Sequence, residues 1–420
     1  LIFYLKVNTS PQEAKPVPFY DLYYFKNQKT GRFSNILEYI VSMKFVLAPD
    51  KYKGSLTGRQ FCDAVESGIK KVFPEAEMVK KPLADGGDGT IEVVMDYLHA
   101  EMVSVTVNDP LFREIESAYL LSGDGKTAFI EMSEASGYKL LAKSEMNCMH
   151  TTSLGTGEMI VDAMEKGAKN IVLGIGGSAT NDGGMGMAMA LGYEFLDKDG
   201  QVLEPVGKNL IHVKHISKEK VHGKLSEINV QVACDVNNPL HGKQGAAHIY
   251  GPQKGASPDE VVFLDQGLEN FAQVLHAVFK VDVQQIPGAG AAGGMGAGTH
   301  VFLNAHLTPG VDLVMQLARF DEALENVDWV ITGEGQMDGQ TFSGKTINGV
   351  VRSARAKNIP VAAFCGSMEV SIEDMQKMGL QYGVSILNHV GNLEDAKAKS
   401  YRNLELASYN FASLLKQAQM

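Results

Sequence analysis

Two periods of apolar and polar residues interleave along the chain. Short apolar, β-branched runs predict buried strands: FVLA at 45–48, IVLGI at 171–175, NVQVAC at 229–234, VDWVIT at 327–332, PVAAFC at 360–365 and YGVSIL at 382–387. Between them the period lengthens to that of a helix. Phe61, Ala64, Val65, Gly68, Ile69 and Val72 line one helical face. Thr57, with Gln60 three residues later, opens that helix as a capping box. Ile91, Val94, Met95 and Leu98 share one side of a helix starting near Thr90, and further helices are predicted over 157–166, 185–191, 259–279 and 347–357. Residues 102–107 alternate as a half-buried strand does. The runs at 117–121 and 127–132 read as antiparallel strands around the Gly-Asp-Gly turn at 123–125.

This change from β/α alternation to consecutive strands near residue 100, and its reversal in the C-terminal third, predicts an α/β protein of two domains. Residues 43–100 plus 295–420 would build one sheet. Residues 101–294 would form an inserted, mixed-sheet α/β domain. Residues 1–42 differ from the rest: they are rich in aromatics and mildly basic, and they lack the ordered regions of a signal peptide. Met43 is followed at once by a core-like strand, so it is expected to be the true start, with 1–42 a poorly ordered extension.

Composition narrows the class. The chain has 420 residues, 45% hydrophobic and 21% charged, which is ordinary for a globular protein large enough for two cores. The net charge of −11 argues against a nucleic-acid binder. No apolar run approaches the length of a membrane span. Cys62, Cys148, Cys234 and Cys365 form no CxxC and no zinc spacing, which fits reduced thiols in a cytoplasmic protein. His212 and His215 stand apart from other ligands and read as surface residues.

The 44 glycines cluster in loops that follow predicted strands, together with carboxylates and lysines. Gly174 to Gly186 reads GIGGSATNDGGMG, a strand–loop–helix unit whose backbone N–H groups could cradle an anion. The simpler reading is a turn in which Asn181 or Asp182 caps the helix. PDKYKGSL at 49–56 puts Lys53-Gly54-Ser55 at a helix start. DGGDGT at 85–90, Asp235 after the 229–234 strand, and Glu334 with Asp338 in GEGQMDGQTFSGKT repeat the theme. Ligands of open α/β sheets bind beyond the carboxyl ends of the strands. Phosphoryl transfer uses these ingredients: cations and N–H groups for phosphates, carboxylates for Mg²⁺, and one carboxylate as base. Two literal motif matches lack their structural context. Gly288, Gly290 and Gly293 fit GxGxxG without a preceding strand, and Gly339–Thr346 fits a P-loop whose first glycine is not at a strand end. The run PGAGAAGGMGAG at 287–298 reads as a flexible hinge or a backbone-lined pocket.

Taken in order, APDKYKGSL, PLADGGDGT, NDPLFR, TTSLGTGE, GIGGSATNDGGMG, ACDVNNPL, GPQKGA, PGAGAAGGMGAG and ITGEGQMDGQT followed by Gly344-Lys345 resemble the type I glycerate kinase family from Met43 onward. Lys51, Tyr52 and Phe112 depart from the usual residues. The resemblance implies a flavodoxin-like domain with a second α/β domain and the site between them. It also implies ATP- and Mg²⁺-dependent phosphorylation of D-glycerate, usually at the 2-hydroxyl. On that reading Lys53, Gly54 and Ser55 bind the carboxylate or a phosphoryl oxygen. Asp182 or Asp235 takes the hydroxyl proton, with Asp182 favoured. Asp85, Asp235 and Asp338 position Mg²⁺. Asp85, Gly86, Gly87, Gly176, Gly177, Ser178, Asn181, Glu334 and Lys345 contact phosphates or other substrate groups. Closure about 287–298 would align the groups. The partners are D-glycerate and ATP, without nucleic acid or membrane, and a homodimer is left open. The alternatives are a 3-phosphorylating enzyme, a kinase for another small hydroxy acid, a dehydrogenase using the GxGxxG run, and a non-enzymatic small-acid-binding protein.

Overall fold

The computed structural model describes residues 43–86, 90–338 and 346–418. Expectations for residues 1–42, Gly87 and Lys345 lie outside the described residues. In chain order the strands are β1 (Lys44–Leu47), β2 (Glu77–Lys80), β3 (Glu101–Asn108), β4 (Glu114–Leu121), β5 (Thr127–Glu131), β6 (Asn170–Gly174), β7 (Glu194–Leu196) and β8 (His215–Ser217). They continue with β9 (Asn229–Ala233), β10 (His306–Thr308), β11 (Trp329–Thr332), β12 (Gln336–Met337), β13 (Val361–Cys365), β14 (Ser367–Met368) and β15 (Tyr382–Ser385). β7 pairs with β8 and β12 with β14 in two small ribbons.

β1, β2, β11, β13 and β15 form a wholly parallel sheet in the order β2-β1-β11-β13-β15, the flavodoxin-like order. Both faces are covered, which is why its strands read as continuous apolar runs. Phe45, Leu47, Ile331, Ala362 and Phe364 point to one core, lined by the helices Gly58–Lys70 and Leu393–Ala418. Val46, Val330, Val361, Ala363 and Cys365 point to the other. The capping box predicted at Thr57 and Gln60 is present.

The second sheet runs β3-β4-β5-β6-β9-β10. It is antiparallel through β3, β4 and β5 and parallel from β5 to β10. Its larger core packs Ile130, Leu173, Val232, Phe195 and Phe271 beneath the helices Leu154–Glu165 and Pro258–Phe279. Strands of this sheet extend to residue 308, beyond the predicted change at 294, because β10 pairs with β9.

Two helices lie between the sheets and serve both. In Thr90–Leu98, Val94 meets Leu120, Phe129 and Val172 of the mixed sheet, while Val93 and Tyr97 pack with the core of the parallel sheet. In Gly310–Leu317, Leu313 belongs to the first contact and Val311, Val314 and Met315 to the second. The chain from Met43 onward is accordingly one compact unit.

The glycine run at 287–298 is packed and partly helical chain. Ala291–Leu303 is assigned as helix, interrupted by left-handed backbone at Ala292, Gly293 and Gly294. A Cβ on Gly293 would stand 2.0 Å from the Thr180 carbonyl oxygen, and one on Gly298 would stand 2.5 Å from that of Gly183. These glycines are needed for close backbone packing against the 180–184 loop. Ala291 and Ala292 do line a cleft, as the pocket alternative requires. No helix among the described residues is long and apolar enough to cross a membrane.

Truncating the shared layer should be costly. Leu313→Ala is expected to destabilise the protein by about 2–5 kcal/mol, whereas Ile372→Ala, at an exposed position, should change stability by less than about 0.5 kcal/mol. Urea unfolding of the two variants checks the contrast.

Candidate active site

The carboxyl ends of the two parallel strand sets meet. The loop after β2 carries Asp85 and Gly86. At Gly86 φ is +90°, and a Cβ there would lie 3.4 Å from Gly310 Cα, 3.7 Å from Asp235 Oδ2 and 3.9 Å from Ala233 Cβ. The left-handed backbone at Gly86, which glycine adopts without strain, is what sets the β2 loop against the end of β9 and the start of Gly310–Leu317. The Gly310 N–H donates to Asp235 Oδ1 at 2.9 Å, so Asp235 sits on that helix's N-terminus.

A cleft of about 580 Å³ opens beside this junction. Gly86, Gly176, Gly177, Ser178 and Asp235 all line it, so these sequence candidates are brought together. The 176–178 loop follows β6 and is braced from below. The Gly177 carbonyl accepts from Tyr138 N at 3.0 Å, and Ala179 N–H donates to the Ser136 carbonyl at 2.9 Å.

Lys254 lines the same cleft and was missed as a site residue. It is 5% exposed, and its Nζ donates to Ser178 Oγ and to the Thr180 carbonyl, each at 2.7 Å. Burial lowers the ammonium to about 8, against the opposing charges of Cys148 and Asp182. Its signal was present in GPQKGA: a lysine in a glycine loop, the feature that singled out Lys53.

Asp182 lies behind the loop, fully buried. Ser153 donates to its Oδ2 through N–H (2.8 Å) and O–H (2.7 Å), Gly186 N–H donates to the same oxygen (3.2 Å), and Gly184 N–H donates to Oδ1 (3.2 Å). Burial raises its carboxyl against these bonds. Asp182 therefore ties the first turn of the Met185–Ala190 helix, through the Gly186 N–H, to Ser153, while the cap position itself is held by Gly184 and not by Asn181 or Asp182 as the capping alternative had it. Asn181 is equally buried, and its side-chain amide has no hydrogen-bond partner among the described residues.

Lys53 and Ser55 line a separate recess of about 220 Å³ at the β1/β11 switch point. It is shared with Gly335, Gly366 and Lys397. Ser55 Oγ lies 2.6 Å from Ser400 Oγ, and a Cβ on Gly54 would stand 3.6 Å from Lys397 Nζ. Glu334 is 7% exposed beside this recess, and Asp338 follows β12. The structure thus separates the lysine loop at 53–55 from the glycine loop at 176–178.

Carboxylates connect the two. Asp50, in the β1 loop, accepts from Thr346 Oγ1 at 2.6 Å. Burial and then the charge of Asp85 push it up to about 6, although the Thr346 bond pulls the other way. Burial raises Asp235 too, and the charges of Asp85 and Asp312 add to it. The charge of Asp85 thus acts on both Asp50 and Asp235. Among the described residues no three His, Cys, Asp or Glu side chains form a ready metal cage. Hard carboxylate oxygens that repel one another do fit Mg²⁺, which takes one or two carboxylates together with substrate phosphates.

The Asp50 shift has a stability consequence. Its folded value, about 6, lies above its ordinary 3.8, so its favourable contribution is complete below 3.8 and is lost as pH rises through 6. Relative to Asp50→Asn, the unsubstituted protein should lose about 2–3 kcal/mol over that window, measured by denaturant titration at each pH.

Residues 45–416 match the Glycerate kinase family. Glycerate kinase of Halalkalibacterium halodurans is 43% identical over 87% of this chain and 97% of its own length. Glycerate 2-kinase of Escherichia coli K12 is 42% identical over 89% of this chain and 98% of its own. A crystal structure from Salmonella typhimurium LT2, described as a glycerate kinase 2, superposes with a TM-score of 0.80 at 40% identity, covering 90% of this chain and 99% of that one. With its flavodoxin-like sheet, its second mixed sheet and these relatives across nearly its whole folded length, the chain belongs to the glycerate kinase family, a family of enzymes.

Proposed function

We propose that this protein phosphorylates D-glycerate at its 2-hydroxyl, with ATP as donor and Mg²⁺ bound, in the cleft where the two sheets meet. The observation that carries the reading is the junction itself: Gly86, Asp235 and the 176–178 loop line one cleft, and a buried lysine stands against that loop, its Nζ 2.7 Å from Ser178 Oγ. The glycerate 2-kinase relative supports the choice of hydroxyl. The four free cysteines fit a reducing, cytoplasmic setting.

Asp235 is the base in this proposal. The sequence favoured Asp182, but that carboxylate is sealed from the cleft and both its oxygens accept hydrogen bonds within the protein. Asp235 lines the cleft, and Gly310 N–H engages only its Oδ1. Its raised affinity for a proton suits a group that must accept one. As the hydroxyl proton passes to Asp235, the substrate oxygen bonds to the γ-phosphorus. The bond from that phosphorus to the β,γ-bridging oxygen breaks, and ADP leaves with the electron pair. Asp85 and Asp338 would hold Mg²⁺, which neutralises charge on the transferred group. Gly176, Gly177 and Ser178 offer backbone and hydroxyl donors to anionic oxygens. Lys53 and Ser55, in the neighbouring recess, and Gly54 between them receive the remaining phosphates of the nucleotide together with Lys345, and Glu334 contacts another substrate group.

Two measurements test this. With D-glycerate and MgATP, ³¹P NMR should find 2-phosphoglycerate; a 3-phospho product or no turnover would overturn the assignment. Asp235→Asn should lower kcat about 10²–10⁴-fold with unchanged folding. Asp182→Asn should instead lower the melting temperature first, and a folded Asp182→Asn protein with the larger kcat loss would return the base role to Asp182.

A further inference from the structure

We propose that Lys254 is the cationic seat of an oxyanion in the main cleft, holding either the substrate carboxylate or the transferring phosphoryl group. The proposal rests on the glycerate kinase reading above and adds a binding residue to it.

Four observations carry it. First, Lys254 is 5% exposed and lines the cleft formed with Gly176, Gly177 and Ser178. Second, its Nζ has only neutral acceptors, Ser178 Oγ and the Thr180 carbonyl, and no carboxylate pairs with it among the described residues. The carboxylate whose charge acts on it, Asp182, has its oxygens turned to Ser153, Gly184 and Gly186. A buried cation without a paired anion is costly unless a ligand supplies the charge. Third, its backbone is fixed. Pro252–Lys254 is a 3₁₀ turn closed by Gly255 at φ +88°, where a Cβ would stand 1.9 Å from the Met146 carbonyl oxygen. Fourth, Asp235 stands on the same cleft, so an anionic substrate needs a positive charge there to offset the repulsion. Two of the three ammonium protons are used, which leaves one for the ligand. Ser178 accepts one of them, so its own hydroxyl proton is available to the same oxyanion.

The test uses the full chain. Lys254→Met, matched in length and uncharged, is compared with the unsubstituted protein by calorimetric titration with D-glycerate and, separately, with inorganic phosphate. Melting temperature is recorded for both proteins. A Kd raised about ten- to hundredfold is the expected result, the range for losing a hydrogen bond to a charged group. Loss confined to D-glycerate assigns the carboxylate, loss confined to phosphate assigns the phosphoryl group, and loss of both supports the seat as shared. A folded variant that binds both as before overturns the proposal. If Lys254→Met does not fold, Lys254→Gln keeps a donor for the Thr180 carbonyl while removing the charge. The ¹³Cε signal of Lys254 in the unsubstituted protein supplies a variant-free readout. It should move on adding one of the two ligands, and no movement with either overturns the proposal. Turnover of D-glycerate by the unsubstituted protein is the control. Its absence defeats the kinase reading, whereas its presence alongside undiminished binding by Lys254→Met defeats only the role of Lys254.

Discussion

The apolar layer between the two sheets is the contact on which the rest depends. Thr90–Leu98 and Gly310–Leu317 each bury one side on the parallel sheet and the other on the mixed sheet. Neither sheet could lose them without exposing a core face to water. The same two helices start at the junction that brings the strand ends together: one follows the Asp85–Gly86 loop, and the other donates its Gly310 N–H to Asp235. Packing thereby fixes the position of the acidic groups. A side chain at Gly310 would push that junction apart, because its Cβ would fall 2.5 Å from the Asp85 carbonyl oxygen, and one at Gly86 would strain a backbone held at φ +90°.

Acidic groups gather at that junction, and the charge of Asp85 makes both Asp50 and Asp235 harder to ionise. Lys254 is buried against neutral acceptors on the same cleft as Asp235. Like charges that repel, and a buried ammonium held by neutral groups, are each offset by a group of opposite sign.

Particular elements explain why some features were legible and others were not. The capping box at Thr57, the apolar strands and the Gly-Asp-Gly turn depend on residues close in sequence, so local spacing sufficed. β2, with the pattern EMVK, and the C-terminal helix Leu393–Ala418 carry weak local patterns and owe their state to neighbours far along the chain. The glycine run at 287–298 read as flexible because glycine is permissive locally; its reason is the backbone of residues 180–184 pressed against it. The carboxylate of Asp182 and the ammonium of Lys254 were equally visible as residue types. Burial separated them, turning one inward to Ser153 and the other toward the cleft.

The sequence by itself determined the α/β class, the return of the C-terminal third to the first sheet, the glycine-and-carboxylate loops and, through the order of its motifs, the family. These follow from local periodicity and residue chemistry, which the linear chain carries intact. Tertiary structure alone decided which loops share a cleft: 176–178, Asp235, Gly86 and Lys254 on one side, 53–55 on the other. It also decided which carboxylate is sealed away and that the glycine run is rigidly packed. Those outcomes depend on distances between residues up to hundreds of positions apart and on the loss of water around them, and neither is written in the neighbours of any one residue.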